Sequence, residues 1–344
     1  MTIQSVPSFK LLDDTTIPWI AWGNGTGQAK VDAIECGSLA LESGIRHLDT
    51  AQLYENETET GEAIKKSSLS RDDVYVTSKR ACGRILDSAV FDFFLLPVGR
   101  INGDKDPVPL AEVAKSVQGS LDRLGFVPDL YLIHNPYVAA PGELKALWGI
   151  LEDLKSQGKL KSIGVSNFRP QDLETILEGA KFKPVVNQVS RFGTDIEFLL
   201  TLAQLEYHPY TLTHLKPVLE LQAKHGIVTE TFGALTPVIR HPTGGPLKPV
   251  LERIAERISK VVGKKLDANI VLLLWTRAQG VVAVTASGNP DRIKGLGEIA
   301  TLPDLLEKEE VDEITHFGET IHFRFYVSSP VCFTRNLSLT FFID

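Results

Sequence analysis

The chain has 344 residues, 43% of them hydrophobic and 23% charged, with a formal net charge of -7. That is ample length for a large core and ordinary composition for a soluble protein, and no basic block could follow a phosphate backbone, so nucleic acid is not an expected partner. The opening MTIQSVPSFK lacks a charged segment followed by an apolar one, and no apolar run reaches membrane-spanning length; a cytoplasmic protein without membrane contact is expected. Cys36, Cys82 and Cys332 have neither CxxC spacing nor histidines beside them, so they read as free thiols, with no disulfide framework and no metal site. Asn24 and Asn56 each begin an N-x-T sequon, which is expected to be a coincidence because no signal peptide is expected.

Taken in order, FKLLDDTTIP with a turn at Asp13-Asp14 reads as a hairpin, and IPWIAWG (17–23) as a first strand. RHLDT, VYVTSK (74–79), LYLIHN (130–135), KSIGVSN (161–167), PVVNQ (184–188), GIVTETFG (226–233) and GVVAVTAS (280–287) follow as short runs rich in Val and Ile. Such runs suit a sheet buried on both faces. Amphipathic stretches separate them: Leu110, Val113, Val117, Leu121 and Leu124 mark one helix face, and Leu144, Leu147, Leu151 and Leu154 another. Eight β-runs alternating with helices predict a closed (β/α)8 TIM barrel of the α/β class with an N-terminal β-hairpin at its bottom, rather than an open doubly wound sheet. No internal repeat or linker appears, so residues 1–344 read as a single barrel domain.

In such a barrel, chemistry belongs at the C-terminal ends of the strands. HLDTAQLYENE puts Asp49 at the tip of the second strand and Tyr54 in the loop after it; the third strand ends at Lys79 and the fourth at His134. These four are the candidate catalytic residues. Their pattern resembles the aldo-keto reductases, in which an Asp and a Tyr five apart are followed by a Lys ending the next strand and a His ending the one after. GVSNF (164–168), VNQ (186–188), LEYHPY (205–210) and SGNPDR (287–292) are similar to motifs of that family in the same order. TFGALTP (231–237), TASGNPDR and IHNP resemble a fungal-type subgroup that reduces α-keto amides and conjugated polyketones such as ketopantoyl lactone.

The resemblance implies an enzyme that reduces a small-molecule carbonyl compound to an alcohol with NADPH, with NADH as the other option. A carbonyl that accepts hydride becomes an alkoxide and needs a proton where the charge develops. Tyr54 would be the acid. A phenol with a pKa of about 10 is a poor donor near neutrality unless a cation steadies its phenolate; Lys79 would do so, with Asp49 holding Lys79, and His134 would orient the substrate oxygen. Ser166, Asn167 and Gln188 would bond the nicotinamide carboxamide, Phe232 would stack on the ring, and Gly25 and Thr26 would lie near the pyrophosphate. Ser287 and Arg292 would face the 2'-phosphate, since Arg suits bidentate phosphate contacts, although Ala286 stands where relatives often carry Lys. Trp22, Asn135 and Tyr137 would line the substrate pocket, and Asn135, in place of a common Trp, favours a more polar substrate. A monomer or dimer is expected. The alternative is a non-catalytic cofactor-binding barrel or an inactive product of faulty splicing.

That alternative arises from three segments foreign to the family pattern. Removing the sixteen residues 189–204 restores VVNQLEYHPY. Val189-Ser190 can be encoded by GTAAGT, Leu200-Thr201 can contain CTAAC and Gln204 can be CAG: a splice donor, branch point and acceptor in order. The run therefore reads as a translated intron of a eukaryotic gene, against a genuine lid or partner-binding insertion as the competing reading. Residues 81–101 stretch the spacing between Lys79 and His134, and the tail 327–344 again opens with Val-Ser.

Overall fold

The computed structural model describes residues 6–80, 107–189 and 206–325. The segments 81–101 and 327–344 lie outside the described residues, as does 189–204 except for Val189, which ends a strand.

Ser8–Lys10 (β1) and Thr16–Pro18 (β2) form an antiparallel hairpin whose turn places Asp14 at a left-handed φ of 64°. The next eight strands are β3 (Ile20–Gly23), β4 (His47–Asp49), β5 (Tyr75–Arg80), β6 (Leu130–Ile133), β7 (Ser162–Ser166), β8 (Val186–Val189), β9 (Val228–Phe232) and β10 (Val282–Thr285). They pair in parallel in chain order, and β10 returns to β3 to close the barrel. The predicted fold is the observed one, hairpin included.

The two helical stretches read from leucine spacing are α-helices, Leu110–Leu124 and Leu144–Ser156. Gly125 ends the first in the left-handed conformation at φ 79°, as C-terminal helix glycines do. Each buries its apolar stripe on the outside of the barrel, where Val113, Val117, Leu147 and Leu151 meet Tyr131, Ile133, Ile163 and Val165. Alternate strand residues face inward, as the period of two requires. Leu130, Leu132, Val186 and Val282 fill the lower interior, and Leu11 and Ile17 of the hairpin close over them from below. Asp13 fastens the hairpin, accepting hydrogen bonds from Lys155 Nζ (3.0 Å) and Ser162 Oγ (2.8 Å).

Among the described residues no helix is long and apolar enough to cross a membrane, and no group of three or more His, Cys, Asp or Glu side chains is arranged to hold a metal ion. Cys36 is a buried free thiol; Cys82 and Cys332 lie outside the described residues.

Candidate active site

Asp49 and Lys79 meet inside the upper barrel because β4 and β5 are neighbours in register and both point these side chains inward. Lys79 Nζ donates to both carboxylate oxygens of Asp49, at 2.6 and 2.7 Å, and to the carbonyl of Thr50 at 3.0 Å. The lysine is fully buried. Burial opposes its ammonium form, but the Asp49 carboxylate outweighs that cost and holds Lys79 above its ordinary pKa.

Tyr54 ends the short 3-10 turn Gln52–Tyr54 that follows β4. Gln52 fixes this turn by donating to Ser120 Oγ (2.7 Å) and accepting from Arg80 Nη1 (2.6 Å). Lys79 Nζ lies 5.1 Å from the centre of the Tyr54 ring, and the His134 ring stands edge-on to it with centroids 5.8 Å apart. Burial raises the Tyr54 pKa; Lys79 lowers it, the expected direction, without reversing the net rise. The phenol therefore keeps its proton at neutral pH. Burial, with Lys79 nearby, takes His134 down to about 3, so its imidazole is neutral.

The loop between β4 and the following helix, Glu57–Lys66, is laced by two asparagines. Asn56 Nδ2 donates to the Asn24 carbonyl at 2.9 Å, Thr50 Oγ1 donates to Asn56 Oδ1 at 3.0 Å, and Asn24 Nδ2 donates to Thr60 Oγ1 at 2.8 Å. Both sequon asparagines are buried in this web, which frames Asp49 and Tyr54.

Ser166, Asn167 and Gln188 gather at the adjoining ends of β7 and β8. Asn167 sits at a left-handed φ of 61° and donates from Nδ2 to the His134 carbonyl (2.9 Å) and Ser166 Oγ (3.0 Å). Gln188 Nε2 donates to Asp49 Oδ2 at 2.7 Å, tying this cluster to the Asp49–Lys79 pair. Phe232 ends β9, one strand over. Gly25 lies so close to Tyr54 that a Cβ there would stand 2.7 Å from the ring. Exposed Thr26 precedes the short helix Gly27–Val31. That helix touches the loop carrying Ser287, since a Cβ on Gly288 would fall 2.3 Å from the Cβ of Gln28. Asn289 caps the helix Pro290–Ala300 by accepting from the Arg292 backbone amide at 3.0 Å, and the Arg292 side chain is exposed in its first turn.

Asn135 and Tyr137, both half-buried, occupy the turn after β6, where Asn135 Oδ1 accepts from Tyr137 N at 2.9 Å. Trp22 departs from the expected substrate pocket. It pairs in register with Leu48 on the outer side of the barrel wall, is buried among Ala29, Cys36 and Ala40, and donates from its indole to the Ser287 carbonyl at 3.2 Å. The alternation that turns Gly23 and Asp49 inward turns Trp22 out.

Two interior residues were not singled out from the sequence. His47 and Glu230 both lie fully buried below the Asp49–Lys79 pair, with His47 Nε2 3.9 Å from Glu230 Oε1. The sequence carries one signal for Glu230, a carboxylate at the middle of a short strand in a barrel.

A closed parallel barrel with an acid, a lysine, a tyrosine and a neutral histidine around its mouth defines an enzyme scaffold suited to proton transfer at a polarised oxygen. The chain belongs to the aldo/keto reductase family, whose model matches residues 20–191. It is 31% identical to an aldo-keto reductase of Mycolicibacterium vanbaalenii, over 91% of this chain and 95% of that protein. It is 29% identical to an NADPH-dependent alpha-keto amide reductase of Saccharomyces cerevisiae, over 90% of each chain. Among solved structures, an aldo/keto reductase from Brucella melitensis superposes with a TM-score of 0.68 at 28% identity, covering 91% of this chain and all of that one. The protein is an NAD(P)H-dependent oxidoreductase.

The residues fit a nicotinamide dinucleotide. One hydroxyl and two carboxamides converge beside His134 and suit an amide, while a capped helix N-terminus bearing an exposed arginine suits a phosphate.

Proposed function

We propose that this chain reduces a polar carbonyl compound of the α-keto amide or diketone type, with NADPH as the preferred cofactor and Tyr54 as general acid. The observation that carries the reading is the fully buried Lys79, clasped by both oxygens of Asp49 and facing the Tyr54 ring at 5.1 Å. A lysine held this way keeps its charge beside the phenol, so the phenolate left after proton transfer is stabilised where it forms. Neutral His134 donates a hydrogen bond to the substrate oxygen and directs it toward Tyr54. Tyr54 then gives its proton to that oxygen as negative charge develops there. A reduced nicotinamide, when bound, supplies the hydride. Ser166, Asn167 and Gln188 hold its carboxamide, Phe232 covers the ring, Gly25 and Thr26 border the pyrophosphate, and Ser287 and Arg292 take the 2'-phosphate. Asn135 and Tyr137 line the substrate side.

The narrower substrate class is supported by the resemblance of TFGALTP and IHNP to the fungal-type subgroup and by the similarity to the NADPH-dependent alpha-keto amide reductase of Saccharomyces cerevisiae. On the same reading the protein is cytoplasmic and a monomer or dimer, and 1–344 is one barrel in which 189–204 is an addition of intron origin, 81–101 is a second insertion foreign to the family pattern and 327–344 an atypical tail. A transcript shorter than the coding sequence across the codons for Gln188 and Leu205 supports that origin; a full-length one refutes it.

Purified protein is predicted to oxidise NADPH when given an α-keto amide. Tyr54→Phe is predicted to lower turnover on the order of a hundredfold or more, with NADPH binding retained by fluorescence titration. A Tyr54→Phe protein with full activity would sink the mechanism.

A further inference from the structure

Glu230 has no task in the reading above, which the following rests on. It occupies the middle of β9, in register with Gln188 on one side and Val282 on the other, and is wholly excluded from solvent. Neither carboxylate oxygen has a well-formed hydrogen bond among the described residues, and the Gln188 carboxamide beside it already donates to Asp49 Oδ2 at 2.7 Å. His47 Nε2, at 3.9 Å, is beyond bonding distance and already faces Thr77 Oγ1 at 2.8 Å. An unsatisfied carboxylate in a packed interior is costly, and a Val or Thr would fill the strand at less cost.

Its surroundings point to what that cost maintains. Asp49 and His47 face it from β4, Lys79 and Tyr75 from β5, and Gln188 from β8, while β10 offers only Val282. Two carboxylates thus share one ammonium, and Asp49 already holds that ammonium with both oxygens. Burial first, and then the Asp49 charge, push Glu230 up to about 8. It is neutral at pH 7 and becomes an anion in mildly alkaline solution. As an anion it stabilises the Lys79 ammonium and opposes a second negative charge on Tyr54.

We propose that Glu230 is a positioning residue for the reaction, governing from inside the barrel, through Lys79 and Asp49, whether the Tyr54 oxygen carries its proton. In reduction the Tyr54 proton passes to the carbonyl oxygen as hydride from the reduced nicotinamide adds to the carbonyl carbon. In the reverse reaction the Tyr54 phenolate takes the alcohol proton while hydride returns to the oxidised nicotinamide. An anion at Glu230 keeps Tyr54 in the form that reduction needs and withholds the form that oxidation needs. Glu230 therefore favours turnover in the reductive direction at alkaline pH, without altering the equilibrium between carbonyl and alcohol.

The test compares native protein with Glu230→Gln, which removes the charge and keeps the shape. Turnover is followed from pH 6 to 10 with NADPH and an α-keto amide, and in reverse with NADP+ and the corresponding α-hydroxy amide. In the Gln variant, alcohol oxidation at pH 9 should rise roughly three- to tenfold. Its pH profile should move toward acid, and reduction should fade at lower pH than in native protein. These changes should lie in kcat with the KM of the carbonyl and alcohol substrates unmoved, the balance between directions being kept by the relative binding of NADPH and NADP+, and Glu230→Asp should restore the native profile. Superimposable profiles for Gln and native protein in both directions would overturn the proposal. If the Gln chain does not fold, Glu230→Met carries the same comparison with an uncharged side chain of similar volume. Tyr54→Phe run alongside separates the failures: full turnover there overturns the proposed function itself, whereas its loss together with unshifted Glu230→Gln profiles overturns this inference alone.

Discussion

Gly25 and the ring of Tyr54 are in contact so close that a single added methyl group at Gly25 would lie 2.7 Å from Cζ and 2.8 Å from Cε2. Atoms do not approach so closely, and the ring cannot retreat freely because Lys79 and His134 stand within about 5–6 Å of it. Gly25→Ala should therefore displace the Tyr54 hydroxyl and lower kcat by roughly tenfold to a hundredfold, since misplacement near 1 Å costs about that much. The backbone of Gly25 is not in the left-handed region, so melting temperature should change little. Steady-state kinetics beside a thermal melt check both halves.

The clasp of Lys79 by Asp49 predicts a stability loss distinct from the catalytic one. Asp49→Asn leaves a fully buried ammonium with a neutral amide and the Thr50 carbonyl as acceptors. Removing one partner of a buried pair typically costs about 3–5 kcal/mol. Adding Lys79→Met should recover part of that loss while activity stays absent. Urea unfolding of both variants reads this directly, and a double variant no more stable than Asp49→Asn would contradict it.

His134 and His47 titrate in the folded chain at about 3 and about 4, each lowered first by burial. The unfolded chain takes up their protons near the ordinary histidine value of about 6.5. Below that value the unfolded state binds more protons, so stability present above pH 6.5 is lost as pH falls toward 4, by up to about 1.4 kcal/mol per pH unit for each group. Glu230 acts with the opposite sign, because its raised pKa gives the folded chain the extra proton between about 4.5 and 8. Urea midpoints compared between native protein and His134→Gln isolate one histidine; the variant should lose less stability between pH 6.5 and 4.

Arg292, exposed in the first turn of an asparagine-capped helix, is the residue assigned to the cofactor phosphate. Arg292→Ala should raise KM for NADPH about tenfold, the loss of one charge-assisted contact, and leave KM for NADH and both kcat values near native. Equal effects on the two cofactors would remove Arg292 from that role.

Much of the fold was legible because most barrel strands are short apolar runs, many of them rich in Val and Ile, and because Asp49, Lys79 and His134 stand at or just past the ends of such runs. The side of the wall a residue faces was not legible where the register decides it. Trp22 stands two residues before the loop expected to meet the cofactor, but its pairing with Leu48 sends it outward. Gly25 reads as a plain turn until Tyr54 is folded over it. Glu230 reads as one polar residue in GIVTETFG, and only closure of the sheet brings it beside side chains of β4 and β5. The buried web of Asn24 and Asn56 was hidden behind a sequon pattern that describes neighbours in sequence, whereas their partners are neighbours in space.

The hairpin under the barrel carries a consequence for how the chain is made. Leu11 and Ile17 are synthesised well before Val282, yet the surface that seats them includes it. No earlier fragment offers them a complete floor. The hairpin must wait for β10 before it finds its place, so the lower barrel is sealed only when β10 joins β3.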